Sequence, residues 1–302
     1  MDKVVVLMSA YNGEKYIKEQ IDSILNQVHV DIELVVRDDG SNDATVEILN
    51  KYREENANII VIEGKNVGWR QSFAELLLHA PESEFYAFAD QDDYWMENKL
   101  FVAVENIKQF DDIPCLYRGR SYIADSELNN TWKKFQNIPI LSTTRSLYQN
   151  YCQGCTLVFN KKLRELYLRY PIKTVSHDVW LPMIALHTGK IVDDSEAYML
   201  YRIHSSNASA GQTWLKTMER RLKGITKKSA SKYDYNYGEA LYRNYRDCLN
   251  EESIEICHQM ATYRQSIKTK IKLLFNKEVR GNTVLRTIMV KYFILTNSYR
   301  CY

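Results

Sequence analysis

The chain has 302 residues, enough for one large domain or for a main domain with an appendage. Its 45% hydrophobic and 12% aromatic content, against only 11 Gly and 5 Pro, excludes disordered, collagen-like and low-complexity classes and calls for a sizeable core. The formal charge of +2 points to no polyanionic partner, but its distribution is uneven: residues 1–210 carry 22 Lys and Arg against 30 Asp and Glu, and residues 211–302 carry 18 against 8.

The first 110 residues alternate between two periods. Val4–Met8 is a β-branched apolar run, as in a buried parallel strand, and Glu14–Gln27 repeats Ile17, Ile21, Ile24 and Leu25 on one helical face. Three more pairs follow: strand 32–36 with helix 44–52, strand 59–62 with helix 69–78, and strand 85–89 with helix 97–110. Ser41 or Asp43 is placed to cap the second helix. Four such repeats predict right-handed βαβ crossovers and an α/β fold with an open, parallel sheet. From 115 to 210 the alternation weakens, with strands expected near 115–123, 155–159 and 198–203 and helices near 161–169 and 179–187. Beyond Thr213 the pattern is mainly helical, and Ser205–Gly211 is the best boundary between a body, 1–210, and an extension, 211–302.

Six cysteines are too few for a disulfide scaffold, and Cys152-Gln-Gly-Cys155 lacks the second ligand pair of a zinc knuckle, which leaves packed or free thiols. The chain opens without the basic and long apolar regions of a signal peptide and has no run of about 18 apolar residues. A cytoplasmic protein is expected.

In an open α/β sheet ligands bind beyond the carboxyl ends of the strands, where this chain places its polar punctuation. Asp90-Gln91-Asp92-Asp93 projects up to three carboxylates from one turn, either capping the next helix or sharing a hard divalent cation. Asp38-Asp39-Gly40-Ser41 reads as an ordinary turn or as carboxylates accepting hydrogen bonds from a nucleobase or ribose. Gly-x-Gly-x-x-Gly and the P-loop pattern are both absent, which disfavours a nicotinamide-dependent dehydrogenase.

Ser9-Ala-Tyr-Asn-Gly-Glu-Lys-Tyr16, Arg37-Asp-Asp-Gly-Ser41, Asn66-Val-Gly68 and Asp90-Gln-Asp-Asp-Tyr-Trp95 together resemble the family 2 glycosyltransferases in order and spacing. Within that family the likeness is to bacterial rhamnosyltransferase-like enzymes of surface polysaccharide synthesis (capsule, O-antigen or cell wall). Gln153-Gly-Cys-Thr156, Ser176-His-Asp-Val-Trp180 and Tyr201-Arg-Ile-His-Ser-Ser-Asn207 agree, so the resemblance spans roughly residues 3–210. One departure is Ala210, where the family often has glycine.

The resemblance implies the GT-A fold, a nucleotide-diphospho-sugar donor and a divalent cation, Mg2+ or Mn2+. It implies that Ala10, Tyr11, Asn12, Glu14, Asp38, Asp39, Asn66, Gly68, Asp90 and Gln91 line the nucleotide sugar. Asp92, Asp90 and His204 would hold the metal, and Asp178 would be the catalytic base of an inverting displacement. Read from the residues alone, Asp178 serves equally as the N-cap of its helix, and His204 as a structural hydrogen-bonding residue. The acceptor side would take in Trp95, Gln153, Gly154, His177, Trp180 and Arg202.

L-Rhamnose from dTDP-rhamnose is the donor the resemblance favours, passed to a saccharide acceptor on a lipid carrier. The alternatives are a UDP-hexose transferase of the same fold, a metal-dependent nucleotidyltransferase, and a non-catalytic subunit that binds a nucleotide sugar. Thr283–Thr296 is apolar with Lys and Arg interspersed, so it suits either an anionic membrane surface or packing, on the body or in a homo-oligomer. Nucleic acid is not expected, since the basic residues are spread along helices.

Overall fold

The computed structural model describes residues 1–135, 142–150, 152–204, 236–281 and 283–299, the side chains of 131 and 132 excepted. The elements run β1 (Asp2–Ala10), α1 (Ile17–Leu25), β2 (Val30–Asp38), α2 (Thr45–Glu55), β3 (Ile59–Glu63), α3 (Trp69–His79), β4 (Phe85–Asp90), β5 (Tyr94–Trp95) and α4 (Lys99–Ile107). Then come β6 (Cys115–Ala124), β7 (Asn130–Lys134), α5 (Thr143–Ser146), β8 (Leu157–Asn160), α6 (Lys161–Arg169), α7 (His177–Thr188) and β9 (Lys190–Arg202). Four helices close the described chain: α8 (Tyr237–Tyr245), α9 (Glu251–Thr262), α10 (Ile267–Phe275) and α11 (Val284–Leu295).

One nine-stranded sheet runs in the order β3-β2-β1-β4-β8-β6-β9-β5, with β7 on the flank of β6. β1 is an interior strand, third in that order, and its Val4, Val5, Val6, Leu7 and Met8 are all fully buried, as a strand covered on both faces requires. Their alternation divides the core in two. Val4, Val6 and Met8 meet Ile17, Ile21, Ile24, Leu49, Leu100 and Val104, so α1, α2 and α4 cover one face. Val5 and Leu7 meet Phe73, Leu77, Phe88, Phe159 and Trp180, and α3, α6, α7 and the C-terminal helices cover the other. Each fully buried aliphatic side chain contributes about 1.5–3 kcal/mol.

The expected parallel sheet is realised for β1 to β4 and gives way beyond them. β8 pairs antiparallel with both β4 and β6, and β5 antiparallel with β9, while β6 and β9 are parallel. β5 and β7 were not expected, because two residues carry no period and Asn130–Lys134 is a polar edge strand. β9 starts eight residues ahead of the expected strand, in the charged run Lys190–Glu196, which is apolar too seldom to announce a strand. The boundary placed at 205–211 and the helical expectation for 213–235 lie outside the described residues.

The C-terminal helices are built onto α7 through one buried histidine. His187, fully buried, is hydrogen-bonded to Ser146 Oγ at 3.0 Å and to Ser253 Oγ at 2.8 Å. Asn250 N donates to the His187 carbonyl at 2.8 Å, and the Asn250 side chain caps α9 by accepting from Ser253 N at 3.0 Å. Burial holds His187 neutral, its pKa pushed down to about 3. His187→Ala should lower unfolding stability by about 2–4 kcal/mol through the cavity and two stranded hydroxyls. A urea midpoint equal to wild type would show that α9 docks without it.

Candidate functional site

The parallel register brings three strand ends together. Ala10 lies beside Asp38 and Ser9 beside Asp90, so the β1–α1, β2–α2 and β4 turns open on one cleft. The loops are laced to one another. Tyr11 N donates to Gln91 Oε1 at 2.8 Å and Gln91 Nε2 donates to Tyr11 O at 3.0 Å. Gly13 is required beside this clamp, since a Cβ there would stand 2.3 Å from Gln91 Oε1. Asn12 N donates to Ser41 Oγ at 2.9 Å, and Asn12 Oδ1 accepts from Asn42 N at 2.9 Å.

Several of the expected nucleotide-lining side chains are turned inward. Asp38 accepts from Gly40 N and Ser41 N at 2.9 Å each and from the Ser41 hydroxyl, all within its own turn. Asp39 accepts from Arg37 Nη1 at 2.5 Å, Val67 N at 2.9 Å and Gly68 N at 2.8 Å. Both are only 2% exposed, so they shape the wall of the cleft rather than offer it free carboxylates. Glu14 Oε2 accepts from Ala44 N at 2.9 Å and joins the two loops. Asn66 is exposed, and Gly68, at φ 83°, opens α3.

The acidic turn after β4 is pinned from one side. Arg202 donates through Nε to Asp92 O at 2.8 Å, through Nη1 to Ser126 O at 2.5 Å and through Nη2 to Glu19 Oε2 at 2.5 Å. His204 Nε2 lies 2.8 Å from Asp92 Oδ2, its ring against Tyr16 at 4.7 Å. Asp90, Asp93 and Cys155 bring one ligand atom each within 4.8 Å of one another. Burial, then the Asp92 and Asp178 charges, push the Asp90 carboxyl up to about 7. Beneath, Lys99 lies 3.5 Å over the Trp95 ring, and burial lowers its pKa to about 7.

Asp178 sits in the first turn of α7, two residues past the N-cap position, which Ser176 occupies, so the capping alternative is corrected. It accepts from the Ser176 hydroxyl and from Asn150 Nδ2 at 3.3 Å. Burial raises its pKa above the ordinary carboxylate value, against the lowering pull of these bonds and of Arg70. Asp178 lies close enough to Asp90 for its charge to be felt there.

Four of the residues expected on the acceptor side are buried or engaged within the protein. Trp95 and Trp180 are 1% and 0% exposed, the first over Lys99 and the second against Tyr237 and Tyr245, so neither offers a face to a sugar. His177 packs 4.0 Å from Phe73 and 4.4 Å from Phe88, and burial holds it neutral at a pKa of about 3. Arg202 is spent on the acidic turn. Gln153 remains at an open pocket. Asn150, Ser176, Arg70 and Glu19 were not foreseen, because each acts through a partner remote in sequence or in a loop without periodicity.

Known proteins agree with this architecture. The family model for Glycosyl transferase family 2 matches residues 5–167. The chain belongs to glycosyl transferase family 2. A glycosyltransferase of Nostoc sp. is 27% identical over 221 residues, 68% of this chain and 66% of that one, so the chain spans just under two thirds of that relative. The dTDP-rhamnosyl transferase RfbG of Shigella flexneri is 26% identical over 235 residues, 71% of this chain and 78% of that one. Among solved structures, S. aureus TarS 1–349 in complex with UDP-GlcNAc superposes with a TM-score of 0.57 at 20% identity, covering 92% of this chain and 77% of that one. The Pyrobaculum calidifontis mannosyltransferase PcManGT, in complex with GDP-Man and Mn2+, gives 0.52 at 17% identity, covering 97% and 87%. At these identities the likeness concerns the fold, which is GT-A.

Gly154 is bound to its neighbour by space. A Cβ there would lie 2.3 Å from His177 Nε2. Gly154→Ala should therefore cost about 1–3 kcal/mol by overpacking, and His177→Ala in the same chain should recover part of it. Additive losses in a double-mutant cycle of urea midpoints would show that the two positions do not press on each other.

Proposed function

We propose that the chain transfers one sugar, with inversion, from a nucleotide-diphospho-sugar to a saccharide hydroxyl in surface polysaccharide synthesis. The observation that carries this is that the carboxyl ends of β1, β2 and β4 come together at the acidic turn, with Asp178 near enough for its charge to be felt at Asp90. The laced loops 10–13, 40–42 and 66–68 form the wall for the nucleotide, through backbone groups and the exposed Tyr11 ring. L-Rhamnose from dTDP-rhamnose is the donor favoured by the motifs and by the likeness to RfbG.

The residues fit a divalent cation. Asp92 and His204 offer a carboxylate oxygen and an imidazole nitrogen side by side, and Asp90 stands where two further carboxylates raise its pKa. When bound, Mg2+ or Mn2+ would neutralise the departing diphosphate. Asp178, oriented by Ser176 and Asn150, takes the proton from the acceptor hydroxyl as that oxygen attacks the anomeric carbon. Holding the two reactants in line supplies much of the rate.

A membrane-facing side also belongs to this reading. Ile267, Ile271 and Phe275 recur every four residues on α10, and Val284, Ile288, Tyr292 and Leu295 along α11. All are exposed, Phe275 to 81% and Val284 to 79%. Lys268, Lys270, Lys272, Arg286 and Lys291 flank them, and neither helix contains an acidic residue. Among the described residues no helix is long and apolar enough to cross a membrane. Apolar stripes with basic margins suit the surface of an anionic bilayer. Arg286 Nη2 donates to Tyr148 O at 3.2 Å and Tyr299 OH to Leu147 O at 3.0 Å, which ties this face to the segment carrying Asn150 and so to the base. A lipid-linked acceptor suits that arrangement.

Incubation with a panel of nucleotide sugars, manganese and membrane-extracted acceptors should release nucleoside diphosphate from one donor. Asp178→Asn should cut turnover at least ~1,000-fold. Its thermal midpoint should not fall, because the raised pKa means that the folded state holds the ionised carboxylate at a cost at neutral pH. The base must be ionised, so kcat/KM should fall as pH drops through a pKa above 3.8. Unimpaired turnover in Asp178→Asn would remove the base from the proposal. Separately, Phe275→Ser with Ile288→Ser should reduce co-sedimentation with phosphatidylglycerol vesicles several-fold, leaving phosphatidylcholine binding low. Unchanged sedimentation, or a halving of solution mass without any lipid effect, would assign the stripes to packing or self-association.

A further inference from the structure

The tryptophans of the acidic and Ser176–Trp180 motifs are buried, but another stands open beside the helix of the base. Trp69, the first residue of α3, is 39% exposed, against 1% for Trp95 and 0% for Trp180. Its ring lies 6.2 Å from that of His177 and perpendicular to it, at 88°. His177 opens α7 and is the chain neighbour of Asp178. Arg70, itself exposed, holds its guanidinium 4.4 Å over the Trp69 ring, and its charge is felt at Asp178. Trp69 thus lies where α3 meets the start of α7, and that is where the acceptor hydroxyl has to arrive.

A single exposed hydrophobic side chain is ordinary on a protein surface; this one is set apart by its support and its neighbour. Val67 N and Gly68 N donate to Asp39 at 2.9 and 2.8 Å, which fixes the chain as it enters α3. Ser72, one turn on, is buried and accepts from Ser9 Oγ at 2.6 Å and from Arg37 Nη1 at 3.2 Å. Tryptophan has few rotatable bonds, so on a pinned turn it offers contact area at small entropic cost. A pyranose presents C–H groups on one face that pack on such a ring, while its hydroxyls meet water and polar groups at the rim. We infer that Trp69 is the stacking platform for the sugar ring of the acceptor, whose reacting hydroxyl is presented to Asp178. This rests on the transferase reading, and it moves acceptor recognition from the two buried tryptophans to α3. The donor's own ring is held through its diphosphate at the acidic turn, whereas Trp69 makes its ring contact with the helix of the base.

The test is saturation-transfer NMR on the full chain, with excess UDP or dTDP and manganese present. The probes are methyl α-L-rhamnoside, methyl β-D-glucoside and methyl N-acetyl-β-D-glucosaminide, with glucitol as a polyol that has the hydroxyls but no ring. At least one glycoside should receive saturation on its ring C–H protons, and glucitol should not. Trp69→Leu, which keeps an apolar contact with His177 but no aromatic face, should weaken that glycoside's affinity at least about five-fold, the scale of an aromatic contact. Trp69→Phe should fall between, and nucleoside diphosphate affinity should stay within about two-fold in both. Silence from every glycoside, equal transfer to glucitol, or unchanged affinity in Trp69→Leu overturns the inference. By calorimetry, dTDP-rhamnose and UDP-glucose should keep their affinity relative to dTDP and UDP in Trp69→Leu. A loss confined to the nucleotide sugars would give the ring to the donor and overturn the inference too. Absence of any nucleoside diphosphate binding, with a Trp69-dependent glycoside signal intact, would sink the transferase reading and leave the saccharide platform standing.

Discussion

Everything in this site depends on keeping like charges together in a place from which water is largely removed. Asp90, Asp92 and Asp93 lie within four residues, with Asp178 in Coulombic range, and unpaired carboxylates at that density repel strongly. The fold counters this with fixed positive charge: Arg202 holds the backbone of the turn, Lys99 lies beneath Asp93, and His204 meets Asp92. What remains uncompensated is on the cleft side. In the proposed function a cation and a diphosphate would complete such an arrangement, and burial is what raises the Asp178 pKa above the ordinary carboxylate value.

The two faces of the sheet divide the labour. The face under α1, α2 and α4 supports the loops at the carboxyl ends of β1 and β2, and Tyr117, Val158 and Met199 complete its core. The other face is finished only when α7 has received α8 and α9, through His187 and the Trp180 contacts with Tyr237 and Tyr245. Because the first turn of α7 also carries Asp178, the described C-terminal helices pack onto the helix that holds this carboxylate.

Much of the donor side could be read from sequence because βαβ units obey strong local rules. A buried strand is an apolar run, a crossover helix repeats at 3.6, and the polar residues between them must stand at the carboxyl edge. Hence the Asp90–Asp93 turn was legible at that edge, whereas Asp178 stood out only through the resemblance to the family. Individual side-chain directions were not. Asp38 and Asp39 look identical to exposed carboxylates until the backbone N–H groups of 40, 41, 67 and 68 are found to claim them. Trp95 and Trp180, standing within motifs, suggested a sugar platform, yet an aromatic side chain is equally a core residue and only packing decides between the two.

Sequence alone determined the strand–helix alternation of the first half, the family, and the acidic residues that are candidates for the chemistry, since these follow from local period and from short motifs with fixed spacing. Tertiary structure alone decided which partners each of those carboxylates meets. It also decided that Arg118 and Arg120 share Asp193, 75 and 73 residues away in the chain. Such pairings arise because β6 and β9 come to lie in parallel after 65 residues of intervening chain. No local pattern of residues encodes which distant strand will become a neighbour.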